Sequence, residues 1–149
     1  MSVYTLSDRG AKQLKQEEGL RLQVYLCASG RPTIGYGHVL HPGEPTAITK
    51  AQAEAFFITD VAARLPALNE FRDLKQHEAD ALLIFIYNIG LDAWRNSTAR
   101  RLLLRKAPAA EITRQMKRWI HDDHGHVIPG LKDRQARTAK LYETGVYSW

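Results

Sequence analysis

A glutamate, a cysteine and a threonine stand at Glu18, Cys27 and Thr33, with eight residues between the first two and five between the second and third. A carboxylic acid at a helix end, a thiol on the neighbouring extended segment and a hydroxyl just past a turn can face one cleft. Such groups can protonate a leaving group, attack or stabilise a carbon, and hold a water. The residue types and their spacing point to an enzyme.

The elements around these residues are readable from capping, turn and periodicity signals. Ser7 is placed as an N-cap, with Leu6 and Ala11 spaced as a hydrophobic staple. The helix it opens runs through Leu14 to Glu18 and stops at Gly19, the residue type suited to a left-handed cap. Glu18 then lies in the last turn, where the negative end of the helix dipole disfavours a further negative charge. Val24, Tyr25, Ile34 and Tyr36 are strand formers flanking the turn chemistry of Ala28-Ser29-Gly30-Arg31-Pro32, so a small antiparallel hairpin is predicted, followed by the loop His41-Pro42-Gly43-Glu44-Pro45.

Thr49 with Gln52 fits a capping box opening a helix whose apolar face is Ala53, Phe56, Phe57 and Val61, broken near Leu65 by Pro66. Residues Gln76 to Ile89 are apolar almost all round, which predicts a buried central helix ended by Gly90. Shorter helices are expected over Ser97–Lys106 and Pro108–Ile120, with Pro108 at a first helical position. A loop over His121–Gly130 and a basic helix over about Leu131–Tyr142 follow. These elements make an α+β, mainly α chain: a small β lobe at about 24–48, and a helical body at about 49–149 together with the N-terminal helix. The reading is one domain over residues 1–149, with a cleft between lobe and body.

Composition supports a packed globular protein and narrows the class. The chain has 149 residues, 25% charged and 44% hydrophobic, enough for a real core and against global disorder. A single cysteine excludes an internal disulfide and any paired-cysteine zinc or redox motif. The net charge of +5 favours polyanionic partners such as nucleic acid, anionic lipid or an acidic cell wall. Residues 1–10 hold no apolar stretch preceded by positive charge, and no run approaches the roughly 18 apolar residues of a membrane span. Neither a signal peptide nor an anchor is expected, so a substrate outside the cytoplasm requires another route of release.

The run Glu18-Gly19-Leu20-Arg21-Leu22…Tyr25-Leu26-Cys27…Thr33-Ile34-Gly35-Tyr36-Gly37-His38 resembles the phage-type lysozymes, the endolysins grouped as glycoside hydrolase family 24. Their signature is a Glu, eight residues, an Asp or Cys, five residues and a Thr. Further likeness extends over Thr49-Lys50-Ala51-Gln52-Ala53-Glu54, Phe85-Ile86-Tyr87-Asn88-Ile89-Gly90, Asn96-Ser97-Thr98, Trp119 and Gly130–Arg137. The resemblance implies a lysozyme-like fold and a muramidase that cuts the β-1,4 bond between N-acetylmuramic acid and N-acetylglucosamine. It implies peptidoglycan as partner and no cofactor. It also implies synthesis in the host cytoplasm and passage to the wall through a phage-made membrane lesion. A monomer is expected, with no nucleic acid bound and no stable membrane insertion.

Glycoside cleavage needs an acid for the departing oxygen and a second group for the sugar carbon. The motif assigns the acid to Glu18 rather than Glu17. Cys27 takes the second position, where many glycosidases place a carboxylate; a thiolate there can attack the anomeric carbon, activate a water or stabilise the transition state. Retention and inversion both fit. Thr33 is suited to holding a water or substrate oxygen. Arg134 matches a family arginine expected near the catalytic glutamate.

His38 belongs to the motif and is expected to brace the β lobe. Asn88 suits either a sugar amide or a helix cap, and Tyr87 and Trp94 read as core. His121, His124 and His126, with Asp122 and Asp123, lack the spacing of a metal motif, so no metal site is expected. Lys132, Arg134, Arg137 and Lys140 make the last helix cationic. Two rival readings are a non-catalytic peptidoglycan-binding protein and a cationic membrane-active or nucleic-acid-binding helix; no helix-turn-helix or RNA-binding motif supports the latter.

Overall fold

The computed structural model describes residues 2–149; Met1, which opens the segment searched for a leader, lies outside the described residues. The order is α1 (Asp8–Glu18), β1 (Arg21–Leu26), β2 (Pro32–Gly35), β3 (His38–Val39), α2 (Lys50–Arg64), α3 (Gln76–Ile89), α4 (Leu91–Arg95), α5 (Thr98–Leu104), α6 (Ala109–Met116) and α7 (Leu131–Thr144). This is a mainly helical α+β fold with a small antiparallel sheet of order β1-β2-β3 near the N-terminus.

The helix starts follow their caps. The Ser7 hydroxyl accepts from the Gly10 N–H at 3.0 Å and opens α1. At α2 the capping box is complete: Gln52 N–H donates to Thr49 Oγ1 at 3.2 Å, and Thr49 N–H donates to Gln52 Oε1 at 2.8 Å. Pro66 ends α2 at Arg64, and the chain continues as a 3-10 turn over Leu65–Leu68.

The helix α3 has the bounds the apolar run predicted, and every residue from Ala79 to Tyr87 is buried. It packs against α7, α1 and α2, so it is the hub around which the body closes. Fully burying each of its leucines and isoleucines contributes about 1.5–3 kcal/mol, which outweighs the weak helix propensity of Ile, Phe and Tyr.

Four boundaries differ from the sequence reading. The lobe is a three-stranded sheet beginning at Arg21, not a hairpin beginning near Val24: Arg21 pairs with Gly35 of β2, and β3 adds to the other edge of β2 through Thr33–Val39 and Ile34–His38. The helix α4 was not anticipated; Trp94, fully buried, draws this five-residue segment into the core. The next helix is shorter than expected at both ends, spanning Thr98–Leu104 behind a Ser97 N-cap whose hydroxyl accepts from Arg100 N–H. Pro108 is an extended N-cap rather than a first helical residue, and α6 stops at Met116, leaving residues 117–120 as turns.

The lobe is fastened to the body by side chains. Glu54 of α2 accepts from Tyr36 OH at 3.0 Å and from Lys15 Nζ of α1 at 2.6 Å. Tyr87 OH of α3 donates to the Tyr36 carbonyl at 2.6 Å. No helix among the described residues is long and apolar enough to cross a membrane.

Candidate active site

A cleft of about 410 Å³ opens between the lobe and the body, and Glu18, Cys27, Thr33 and Asn88 all line it. The elements converge as the capping logic requires. Glu18 is the last residue of α1, Cys27 follows β1, and Thr33 sits in β2 opposite Tyr25 of β1. The tight turn between β2 and β3 brings Gly37 against the Glu18 carboxyl. A β-carbon there would fall 2.3 Å from Oε1, and the backbone φ of +74° also demands glycine.

Glu18 Oε2 accepts from Arg134 Nη2 at 2.6 Å, with both side chains largely shielded from solvent. Its neighbour Glu17 faces away and takes a two-pronged pair from Arg137, at 2.7 and 2.9 Å. Two adjacent glutamates at the end of α1 therefore meet two arginines one turn apart on α7. Arg134 touches Glu18 but does not itself line the cleft.

The Cys27 sulfur lies 3.0 Å from Ser29 Oγ. Burial pushes the thiol up, but hydrogen bonds from the Ser29 and Thr33 hydroxyls and from the Arg31 and Ser29 backbone outweigh it and bring the group down to about 7. Thr33 has one hydroxyl proton, and the geometry gives it to the Arg31 carbonyl at 2.9 Å. Ser29 is therefore the firmer source of the shift, and Thr33 can add to it only by turning its proton toward the sulfur. Tyr25 reports that acid and thiol share one neighbourhood: burial, then the negative charges of Glu18 and Cys27, push its phenol up.

Asn88 lies in the last turn of α3, yet it caps nothing; Gly90 N–H closes the helix on the Ile86 carbonyl. Its side-chain oxygen accepts from Gln135 Nε2 at 2.8 Å, so its amide N–H₂ is the end available to a ligand. His38 lies outside the cleft lining. Its ring is stacked on Phe56, with Nδ1 2.8 Å from Asp60 and Nε2 3.0 Å from Glu44. Trp94 is core; Tyr87 is buried too but contributes to the cleft floor.

Several residues line the cleft that the sequence reading had not placed there. Trp119 is 37% exposed, lines the cleft and lies at 79° to Phe85 with ring centroids 6.3 Å apart. Tyr25, Arg31 and Arg64 complete the lobe-side and α2 walls. The segment His121–Gly130 forms a small hairpin closed by a His121–Val127 bridge. Its Asp122 carboxylate accepts from the His124 and His126 N–H groups, both at 2.9 Å, and the same hairpin lines the cleft through His121, Asp122 and Asp123. Aromatic residues and basic residues recur along the whole chain, so nothing local marks these as cleft walls.

The phage lysozyme family model matches residues 15–138, which spans every one of these cleft residues. The endolysin of Acyrthosiphon pisum secondary endosymbiont phage 1 is 34% identical over 93% of this chain and 98% of its own. Among solved structures, the endolysin of Escherichia coli O157:H7 phage FAHEc1 superposes with a TM-score of 0.85 at 31% identity, covering both chains completely. A mutant of P22 lysozyme superposes at 0.75 with 30% identity, covering 94% of this chain and 99% of that one. With the matched residues running from α1 to α7 and the fold shared end to end, the chain belongs to the phage lysozyme family of glycoside hydrolases.

Proposed function

We propose that this lysozyme is an endolysin that hydrolyses the β-1,4 bond between N-acetylmuramic acid and N-acetylglucosamine in peptidoglycan, with Glu18 as general acid. The observation that carries this reading is the lining of one cleft by a carboxylic acid, a thiol held near pH 7 and a hydroxyl, at the spacing of the family signature. Residues 1–149 act as one lysozyme domain. The enzyme reaches the wall from the host cytoplasm through a phage-made lesion.

Arg134 occupies Oε2 of Glu18, so Oε1, lying over Gly37, is the oxygen left to hand a proton to the departing sugar. As that bond breaks, positive charge grows on the anomeric carbon. A Cys27 thiolate, well populated at neutral pH, is the negative group that meets it. Thr33 donates to the Arg31 carbonyl, which leaves its oxygen lone pairs to accept from a water and point that water's own lone pair toward the sugar. Asn88, through its amide N–H₂, binds a carbonyl of an N-acetyl group, and Trp119 supports a ring face.

The helix α7 is packed into the body, with Arg134, Gln135, Thr138, Ala139, Leu141 and Tyr142 buried. That packing argues against a free cationic helix as the working element.

The test is lysis of chloroform-treated Gram-negative cells, followed by mass analysis of the muropeptides. Wild type lowers the optical density and leaves reducing ends at muramic acid. Glu18→Gln keeps the Arg134 contact and the fold and leaves the optical density flat. Wild-type lysis by that variant would remove Glu18 as the acid.

A further inference from the structure

We propose that the turn after β3 is a binding site for a divalent transition-metal ion, ligated by His38 Nε2, His41 Nδ1 and the carboxylate of Glu44. These three ligand atoms all lie within 4.8 Å of one another. Both imidazoles converge on one oxygen: His38 Nε2 is 3.0 Å and His41 Nδ1 3.2 Å from Glu44 Oε1. Metal–ligand bonds of about 2.0–2.2 Å in tetrahedral geometry separate ligand atoms by roughly 3.3–3.6 Å, so the two nitrogen–oxygen distances are already close to what an ion needs, and the exposed His41 ring is the group free to adjust the nitrogen–nitrogen gap.

The site is built rather than gathered by chance from mobile side chains. His38 is buried, stacked flat on Phe56 with ring centroids 4.1 Å apart, and Asp60 Oδ2 sits 2.8 Å from its Nδ1. A carboxylate on the far nitrogen holds a hydrogen on Nδ1 and leaves Nε2, facing Glu44, as the nitrogen that gives up its proton when the metal binds, the recurrent outer-shell arrangement of histidine metal ligands. The turn is closed by Glu44 N–H donating to the His41 carbonyl at 3.2 Å and His41 N–H donating to Glu44 Oε1 at 2.6 Å. Pro42 and Pro45 bracket it, and Gly43 supplies the φ of +89° that the reversal needs.

Two imidazoles and one carboxylate select zinc, cobalt, nickel or copper over calcium and magnesium. The His41 side chain is 74% exposed, so the remaining coordination position opens to water. None of the three ligands lines the catalytic cleft, which separates this site from the glycosidase chemistry. The neighbouring Val39 does line the cleft and pairs with Thr33 in the sheet. An ion at the turn would therefore stiffen the strand that backs Thr33.

The experiment is calorimetric titration of the EDTA-stripped full chain with Zn²⁺, alongside thermal melts with and without the ion. The comparison variants are His41→Ala and the double change His124→Ala, His126→Ala in the cleft hairpin. The expected result is one ion per chain and a higher melting temperature in wild type and in the double variant. His41→Ala should lose at least about tenfold in affinity and most of the melting shift, and Asp60→Asn about 10–100-fold in affinity. His41 is exposed, so unchanged wall lysis by His41→Ala in metal-free buffer certifies its fold. Absence of binding in wild type would overturn the site, as would binding that survives His41→Ala.

Discussion

Gly37 lies directly against Glu18: the missing side chain of one makes the room in which the carboxyl of the other rests. A β-carbon 2.3 Å from Oε1 cannot be accommodated without displacing the acid, and the turn's positive φ adds strain of about 1–2 kcal/mol for any other residue. Gly37→Ala is therefore expected to lower wall lysis by about 10²-fold, as an ångström of misplacement does to a proton donor. Turbidity assays paired with thermal melts check this. A variant that loses only stability and keeps its turnover would contradict the packing argument.

Arg134 and Glu18 are both largely shielded, so removing the cation leaves a carboxyl with no anchor. Arg134→Met should cost about 1–3 kcal/mol, less than a fully buried pair because Glu18 borders an open cleft. Arg134→Lys keeps the charge but not the planar donor, and should recover stability better than activity. Urea melts and lysis rates on the two variants separate anchoring from mere charge.

Cys27 is held at about 7 against an ordinary value of 9.0, although burial alone would raise it. Alkylation of the native enzyme by iodoacetamide should therefore reach half its limiting rate near pH 7. Ser29→Ala, which removes a donor to the sulfur, should move that midpoint upward. Cys27→Ser should abolish most activity, whereas Cys27→Asp, which restores a negative group, should retain some. Equal lysis by wild type and both variants would reduce Cys27 to packing.

His38 carries the clearest pH signature outside the cleft. Burial lowers its affinity for a proton, but the hydrogen bonds and charges of Glu44 and Asp60 outweigh that and hold it above 6.5. A folded-state value raised above the unfolded one stabilises the protein fully below pH 6.5 and loses that contribution as pH climbs through the folded value. Asp60→Asn should therefore cost most at mildly acidic pH, about 1–3 kcal/mol, with the gap to wild type narrowing toward alkaline pH. Chemical melts across pH in EDTA read this directly; a gap independent of pH would show that the ring is not charged in the fold.

Local signals carried much of the structure and part of the site. Ser7, Thr49 with Gln52, and the apolar run from Gln76 to Ile89 each placed an element because the cause lies within a few residues of the effect. Glu18, Cys27 and Thr33, which line one cleft, could be singled out as candidates for the same reason: one short segment holds all three. What escaped depends on distant partners. The helix α4 exists because Trp94 is buried by Phe71 and Phe85, and five residues give too short a pattern to declare it. The strand β1 extends back to Arg21 because Gly35, 14 residues on in β2, pairs with it. Trp119 and Arg64 both line the cleft, one from the turn after α6 and the other from the end of α2, and no spacing rule links them. His121, His124 and His126 are crowded in the chain and lack the spacing of a metal motif, whereas His38 and His41 are brought to Glu44 by a turn, with Asp60 meeting His38 from 22 residues away, a grouping no linear motif declares.

The pairing of α1 with α7 has a bearing on when the enzyme becomes dangerous to its maker. Glu18 and Arg134 are 116 positions apart, and Glu17 and Arg137 are 120 apart. During translation the acid emerges early and waits, unclamped, for nearly the whole polypeptide to follow. With Glu18 as the proposed acid, competence to cut is expected to arrive only with the docking of α7, and a product that stops short of it is expected to leave the wall intact.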